Sequence, residues 1–246
     1  MRLKNKIAII TGSASGFGKG IAKKFSEEGA KLIMVDINSK LLKKVSNSLS
    51  QDYFVADVSK SSDFKSLKNF AYKKYGNIDI IVNNAGVTHK PKFMESVNEK
   101  DFNKVFNINA KSVYYCAKYF LPKMKKNRKG VILNVASTAG ISPRPKLNWY
   151  NASKGWMITA TKAMAIELAT FNVRVNAIAP VAGLTPLLKS FMGGNTPKKK
   201  RSFLSTIPIG RFSTPEDMGN AACFLCSDEA GMITGTILEV DGGRCI

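Results

Sequence analysis

KIAIITGSASGFGKG, residues 6–20, decides the fold of this chain. Lys6 to Thr11 is apolar almost throughout, as a strand buried on both faces must be. It runs directly into a turn with glycines at 12, 16 and 18, and then into a segment of helical pattern. Glycine lets the backbone turn sharply and approach a ligand, while the helix that follows offers unpaired N–H groups and its positive dipole end to an anion. A pyrophosphate suits such a strand, turn and helix. The spacing here is GxxxGxG and not the more usual GxGxxG.

Outward from this stretch the pattern repeats. Short β-branched runs at 31–36 (KLIMVD), 53–58 (YFVADV), 78–83 (IDIIVN), 131–137 (VILNVAS), 173–179 (VRVNAIA) and 236–242 (TILEVDG) read as strands. Helical segments lie between them. Two of these, 19–28 and 61–75, stop at Gly29 and Gly76, residues suited to the left-handed position after a helix. The alternation predicts an α/β, doubly wound domain of Rossmann type, with seven parallel strands and helices on both faces. No linker or repeat interrupts the 246 residues, so one domain spanning 1–246 is expected. The segment 181–209, rich in Gly, Pro, Ser and Thr, is long enough to be a mobile substrate lid.

Asp36 closes the second strand, 18 residues after Gly18. A carboxylate there accepts both hydroxyls of an adenosine ribose and repels a 2′-phosphate, so NAD is expected in preference to NADP. Composition narrows the chemistry further. With His89 as the one histidine, no multi-histidine metal site can form, and no metal is expected. The four cysteines, 116, 223, 226 and 245, make no disulfide framework and suit a reducing, cytoplasmic setting. Cys223 and Cys226 form a CxxC inside the apolar run AACFLC and read as buried thiols. The apolar run at the N-terminus is too short for a signal peptide, and no stretch approaches the length of a membrane span. The formal charge of +21 raises nucleic acid or acidic partners, while 44% apolar residues exclude a disordered basic tail.

A Tyr four residues before a Lys on a helix shares its face, so the ammonium can depress the phenol. With 7 Tyr and 31 Lys in the chain, chance alone supplies about one such pair. Three occur: Tyr114/Lys118, Tyr119/Lys123 and Tyr150/Lys154. In a doubly wound sheet ligands lie beyond the carboxyl ends of the strands. Only Tyr150 falls near such an end, after Ser137 at the close of the fifth strand. The other two pairs sit within a long helix near 98–121 and read as surface or packing residues.

TGxxxGxG, NNAG at 83–86, Ser137, YNASK at 150–154 and VDGG at 240–243 together resemble the short-chain dehydrogenase/reductase family, near its 3-oxoacyl-carrier-protein reductases and alcohol dehydrogenases. The resemblance covers essentially the whole chain. It implies that Tyr150 is the general acid/base and that Lys154 lowers its pKa and holds the nicotinamide ribose. Ser137 would bind the reacting oxygen, and Asn109, in FNINAKS, would support a water chain to the lysine. For the cofactor it implies Gly12, Ser15, Gly16, Phe17 and Gly18 at the turn, Asp36 and Ile37 at the ribose, and Asp57 and Val58 near adenine. Asn84, Ala85 and Gly86 would run along it, with Tyr150, Lys154, Pro180, Gly183 and Thr185 toward the nicotinamide.

Two departures stand out. Where the family has Pro-Gly after the sixth strand, this chain has Pro180-Val181; a β-branched residue excludes a positive φ there. The glycine turn carries Ser13, Ala14 and Ser15 where NADP-using members commonly carry a basic residue, which again favours NAD.

For the substrate, the loop after Ser137 contains Arg144 and Lys146, and His89 with Lys90 follows NNAG. Arg144 and His89 are candidates to meet an anionic group on a small-molecule substrate. The helix after Tyr150 is apolar nearly all round, which predicts a sheet on one side and a partner subunit on the other; family members are commonly tetramers, so a homotetramer is expected. The expected function is NAD(H)-dependent interconversion of a secondary alcohol and a ketone. The alternatives are reduction of a 3-oxoacyl group on a carrier protein and, from another class, a non-catalytic nucleotide sensor or nucleic-acid binder. The charge rests on lysine, 31 against 7 arginines, mostly scattered along helices, so no nucleic-acid or membrane partner is expected.

Overall fold

In the computed structural model, which describes residues 1–194 and 196–246, every strand is parallel to its neighbours. The strands are β1 (Ile7–Thr11), β2 (Lys31–Asp36), β3 (Asp52–Val55), β4 (Ile80–Asn83), β5 (Gly130–Val135), β6 (Val173–Pro180) and β7 (Ile237–Val240). They form one sheet in the order β3-β2-β1-β4-β5-β6-β7. The helices are α1 (Gly16–Glu27), α2 (Ser39–Ser48), α3 (Ser61–Tyr75), α4 (Glu99–Phe106), α5 (Ser112–Asn127), α6 (Asn148–Ala169), α7 (Leu187–Phe191), α8 (Pro197–Leu204) and α9 (Pro215–Cys226).

Alternate residues of the central strands point to opposite faces and are buried on both. On one face Ala8, Ile10 and Met34 meet Ile21 and Phe25 of α1, Leu42 of α2 and Met218 of α9. On the other, Ile9, Ile33 and Ile81 meet Phe64 of α3, Phe120 of α5 and Leu168 of α6. A Cβ at Gly20 would stand 2.2 Å from the Pro215 carbonyl oxygen, so α1 and α9 approach more closely than any other residue there allows. Cys223 and Cys226 are buried in this layer, and burial raises both thiols.

The chain order reverses between β1 and β4, which pair directly through Ile9 and Ile81. Connections leave these two strands in opposite directions, opening a crevice at their carboxyl ends. Thr11 and Asn83 end there.

Boundaries differ from expectation by three residues or more in three places. The third strand ends at Val55, three residues early, because Ala56 to Val58 bend away to line the crevice. Helix α1 begins at Gly16, inside the glycine turn. The long helix expected near 98–121 is α4, a π-helical turn at Asn107–Lys111, and α5 running on to Asn127 with Pro122 inside it. Such turns often mark functional positions, and this one carries Asn109.

Candidate active site

The glycine turn is held by the NNAG segment. Thr11 Oγ1 accepts from the backbone N–H groups of Asn84 and Ala85 at 3.0 and 3.1 Å, and Asn84 Nδ2 donates to the carbonyls of Thr11 and Gly12 at 2.8 and 3.1 Å. Gly12 and Gly16 sit at φ +65° and +53°, where a side chain would be strained. Gly18 does different work: its Cβ would lie 2.2 Å from the Gly12 carbonyl oxygen, so it lets the helix pack under the turn. Ser15 precedes α1 without a side-chain cap, and the first turn of α1 has no acidic residue. Its N–H groups therefore face the crevice unclaimed by protein side chains.

A cavity of about 440 Å³ runs from Asp36 and Ile37 past Asp57 and Val58, along the glycine turn and Asn84, Ala85 and Gly86, to Ser137, Tyr150 and Lys154. Pro180, Gly183 and Thr185 close its other wall. Every expected cofactor residue except Gly18 lines it. Asp36 is oriented by two backbone amides, Ala14 N donating to Oδ2 at 3.1 Å and Asn38 N to Oδ1 at 2.9 Å.

Ser137 lies two residues beyond β5 and starts a short 3₁₀ turn, its Oγ accepting from Ala139 N at 3.1 Å. Tyr150 and Lys154 project from one face of α6, 5% and 4% exposed. Burial raises the Tyr150 phenol, with the Ser137 hydroxyl pulling the other way. The Lys154 ammonium donates to the Val135 carbonyl at 2.7 Å, and burial lowers its pKa to about 8.

Asn109 is fully buried. Its Nδ2 donates to the Val87 carbonyl at 2.9 Å and to Ser153 Oγ at 3.0 Å, and its Oδ1 accepts from Val87 N at 2.9 Å. Ser153 Oγ donates in turn to the Tyr150 carbonyl at 2.7 Å. The π-helical turn is thereby tied to the start of α6. A Cβ on Gly86 would stand 3.4 Å from Asn109 Oδ1 and 3.6 Å from Lys154 Nζ, which places both beside the NNAG segment.

The two substrate candidates lie elsewhere than expected. His89 is 4% exposed and does not line the cavity; its Nδ1 is 2.9 Å from the Lys90 carbonyl, and its Nε2 finds no partner among the described residues. Arg144 is also outside the lining, stacked over Phe203 of α8 at 3.6 Å. Pro180 ends β6, and Val181 follows it without a positive φ, its N–H donating to the Val240 carbonyl at 3.4 Å.

The sequence reasoning missed Phe191, whose ring packs edge-on against Tyr150 at 5.5 Å, and Leu187, Leu188 and Ser190 beside it. The segment 181–209, expected as a loop, contains α7 and α8. The Thr196-Pro197 pair is a readable signal for the second of these: Thr196 Oγ1 caps Lys199 N, and proline is preorganised for a first helical position.

A family profile described as enoyl-(acyl carrier protein) reductase matches residues 12–244. The chain belongs to the short-chain dehydrogenase/reductase family. This family member is 42% identical to 4-formylbenzenesulfonate dehydrogenase of Comamonas testosteroni, with 100% of each chain covered. It is 39% identical to a 3-oxoacyl-[acyl-carrier-protein] reductase of Thermotoga maritima, again over 100% of each chain. Among solved structures it resembles 3-ketoacyl-(acyl-carrier-protein) reductase from Brucella melitensis, complexed with NADH, at 44% identity and a TM-score of 0.95, covering 99% of this chain and 100% of that one. The chain is thus an oxidoreductase of this family.

Proposed function

We propose that this enzyme interconverts a secondary alcohol and a ketone on a small substrate, using NAD(H). The observation that carries the reading is one cavity with Asp36 at one end and Ser137, Tyr150 and Lys154 at the other. The residues fit a dinucleotide: the uncapped start of α1 suits a pyrophosphate, and Asp36, aimed by two amides, suits a ribose diol and disfavours a 2′-phosphate. When bound, the nicotinamide supplies or accepts the hydride.

The protein supplies the proton path and the geometry. In reduction the Tyr150 hydroxyl donates its proton to the carbonyl oxygen, and the Ser137 hydroxyl donates a hydrogen bond to the same atom. Burial keeps the phenol protonated at neutral pH, the form that reduction needs. Lys154 holds the nicotinamide ribose, and Asn109 fixes Val87 of the cavity wall beside it. Helices α7 and α8 form the lid over 181–209, with Phe191 excluding water from Tyr150. Residues 1–246 act as one domain, and the free thiols suit the cytoplasm.

A test is reduction of NAD⁺ with a panel of secondary alcohols, repeated with NADP⁺. Tyr150→Phe should lower kcat by about 10²–10⁴-fold while cofactor still binds; full turnover by that variant rejects the assignment. A second reading, a 3-oxoacyl thioester on an acidic carrier protein, is favoured by the exposed Lys198, Lys199 and Arg201 on α8. Equal turnover of a thioester on carrier and on a simple thiol would sink it.

The same reading includes a homotetramer. Trp156 and Ile166 of α6 are 40% and 80% exposed, and Tyr114 of α5 and Phe106 of α4 are also uncovered. Light scattering should return four times the 26.9 kDa chain mass.

A further inference from the structure

Asn134 interrupts β5, a strand otherwise apolar from Val131 to Val135, and it is fully buried, as is Thr161 of α6. A buried amide or hydroxyl costs free energy unless it is hydrogen-bonded, so each needs a partner. Asn134 stands opposite Asn83 in the parallel pairing of β5 with β4, and Asn83 Nδ2 donates to its Oδ1 at 2.9 Å. Its own Nδ2 donates to Thr161 Oγ1, also at 2.9 Å. The Thr161 hydroxyl donates its proton to the Met157 carbonyl one turn back, at 2.8 Å, so a lone pair is what it offers Asn134. That fixes which end of the Asn134 amide faces the helix and which faces Asn83.

These three side chains connect the glycine turn to the catalytic helix. Asn83 precedes Asn84, whose amide holds the carbonyls of Thr11 and Gly12. Asn134 precedes Val135, whose carbonyl receives the Lys154 ammonium at 2.7 Å. Thr161 lies seven residues after Lys154, two helical turns, and so on the same face of α6. Helix α6 is therefore tied to β5 at two points along that face, once through Lys154 and once through Thr161. The apolar contacts around them, such as Met157 among Val113, Ala136 and Ala177, are non-directional and tolerate a slide of the helix along the strands. A hydrogen bond does not, since it weakens steeply as its angle closes. Asn109 reaches α6 through Ser153, from the π-helical turn and not from the sheet.

We propose that Asn134 and Thr161 are positioning residues for the reaction: their hydrogen bond, anchored through Asn83, sets how far α6 sinks toward β5 and thus where Lys154 and Tyr150 stand in the crevice. Neither residue lines the cavity, so both act through Lys154 and Tyr150. This deepens the oxidoreductase reading of those two residues and rests on it. A misplacement of about 1 Å at reacting groups costs up to about a hundredfold in rate, so a bond remote from the chemistry is enough to matter.

The experiment compares wild type with Thr161→Val, which keeps the shape and removes the hydroxyl, Thr161→Ser, which keeps the hydroxyl, Asn134→Ala, and Asn134→Ala combined with Thr161→Val. On the secondary alcohol that serves best with NAD⁺, Thr161→Val should lower kcat by about tenfold or more and move KM for NAD⁺ by less than about threefold, since the turn and Asp36 are untouched. Thr161→Ser should restore most of kcat. Asn134→Ala should lose kcat similarly, and the double variant should lose little more than the worse single one, because one bond is at stake. Additive losses overturn the proposal, as does a kcat within about twofold of wild type in folded Thr161→Val, which would leave the network a purely structural role. Hydrogen exchange scores the same claim without turnover. Amides 152–158 should exchange about tenfold faster in Thr161→Val and return toward wild-type rates in Thr161→Ser, with the amides of α1 unchanged. That pattern in a protein that oxidises no alcohol would support the positioning while rejecting the oxidoreductase reading; unchanged exchange at 152–158 overturns the positioning itself.

Discussion

Replacing Asp36 tests the cofactor end of the cavity. Its two carboxylate oxygens each accept one backbone amide, from Ala14 at 3.1 Å and Asn38 at 2.9 Å, which leaves a lone pair on each for a ribose hydroxyl. Hydrogen bonds to a charged acceptor contribute about 1.5–3 kcal/mol each. Water replaces part of this in Asp36→Ala, since the residue is only half-buried, so about 2–4 kcal/mol of binding should be lost. At about 1.4 kcal/mol per tenfold, the NADH dissociation constant rises by about 30- to 700-fold. NADPH should move the other way, because the carboxylate that repels its 2′-phosphate is gone. Asp36→Asn keeps one acceptor for the amides and separates charge from local folding. Fluorescence titration of both nucleotides reads the result. NADH affinity within about threefold of wild type, with NADPH unimproved, would refute the placement of the ribose.

Three further outcomes follow from the geometry. Gly18→Ala drives a Cβ against the Gly12 carbonyl and Asn84 Nδ2, so it should cost about 1–3 kcal/mol in urea unfolding and weaken cofactor binding, since the displaced atoms form the turn itself. Asn109→Ala leaves Val87 N and Ser153 Oγ short of partners in a buried site; a loss of about 2–4 kcal/mol by the same assay, with lowered kcat, is expected. Lys154 holds fewer protons folded than unfolded between about pH 8 and its ordinary value of 10.5, so its contribution to stability rises with pH across that window. The unfolding free energy of wild type relative to Lys154→Met should therefore grow by about 3 kcal/mol from pH 8 to 10.5, and a flat difference would contradict burial as the cause.

The sheet was legible because each strand carries its own signal. Residues 31–36 are apolar enough to be buried on both faces, and the structure ends β2 at Asp36 as read. The Tyr150/Lys154 pair was legible only through topology: three such pairs occur, and the place of the fifth strand selects one. What one residue bonds to was less accessible. Nothing in the spacing says that Lys154 meets the Val135 carbonyl in preference to the phenol, because that depends on how far α6 sinks toward β5. The π-helical turn at Asn107–Lys111 was hidden for a related reason: it is maintained by Asn109 bonding to Val87 and Ser153, segments 22 and 44 residues away.

The two dense basic runs are in different local situations, while most of the +21 charge is scattered along helices. In the dense run from Lys123 to Lys129, Lys123 lies 4.3 Å over the Tyr72 ring, Lys125 lies 4.2 Å over Phe171, and Lys129 pairs with Asp79 at 2.9 Å. Those cations are occupied by the protein's own surface, which is the opposite of a face kept free for phosphates. The run from Lys198 to Arg201 is different, for it stands on α8 beside Thr206 with Lys198, Lys199 and Arg201 exposed. Exposed positive charge of this kind attracts anions from solution at long range. That attraction is screened over about 8–10 Å in ordinary salt. Ionic strength should therefore raise KM for the dianionic cofactor or an anionic substrate, and values flat in salt would leave this run without a steering role.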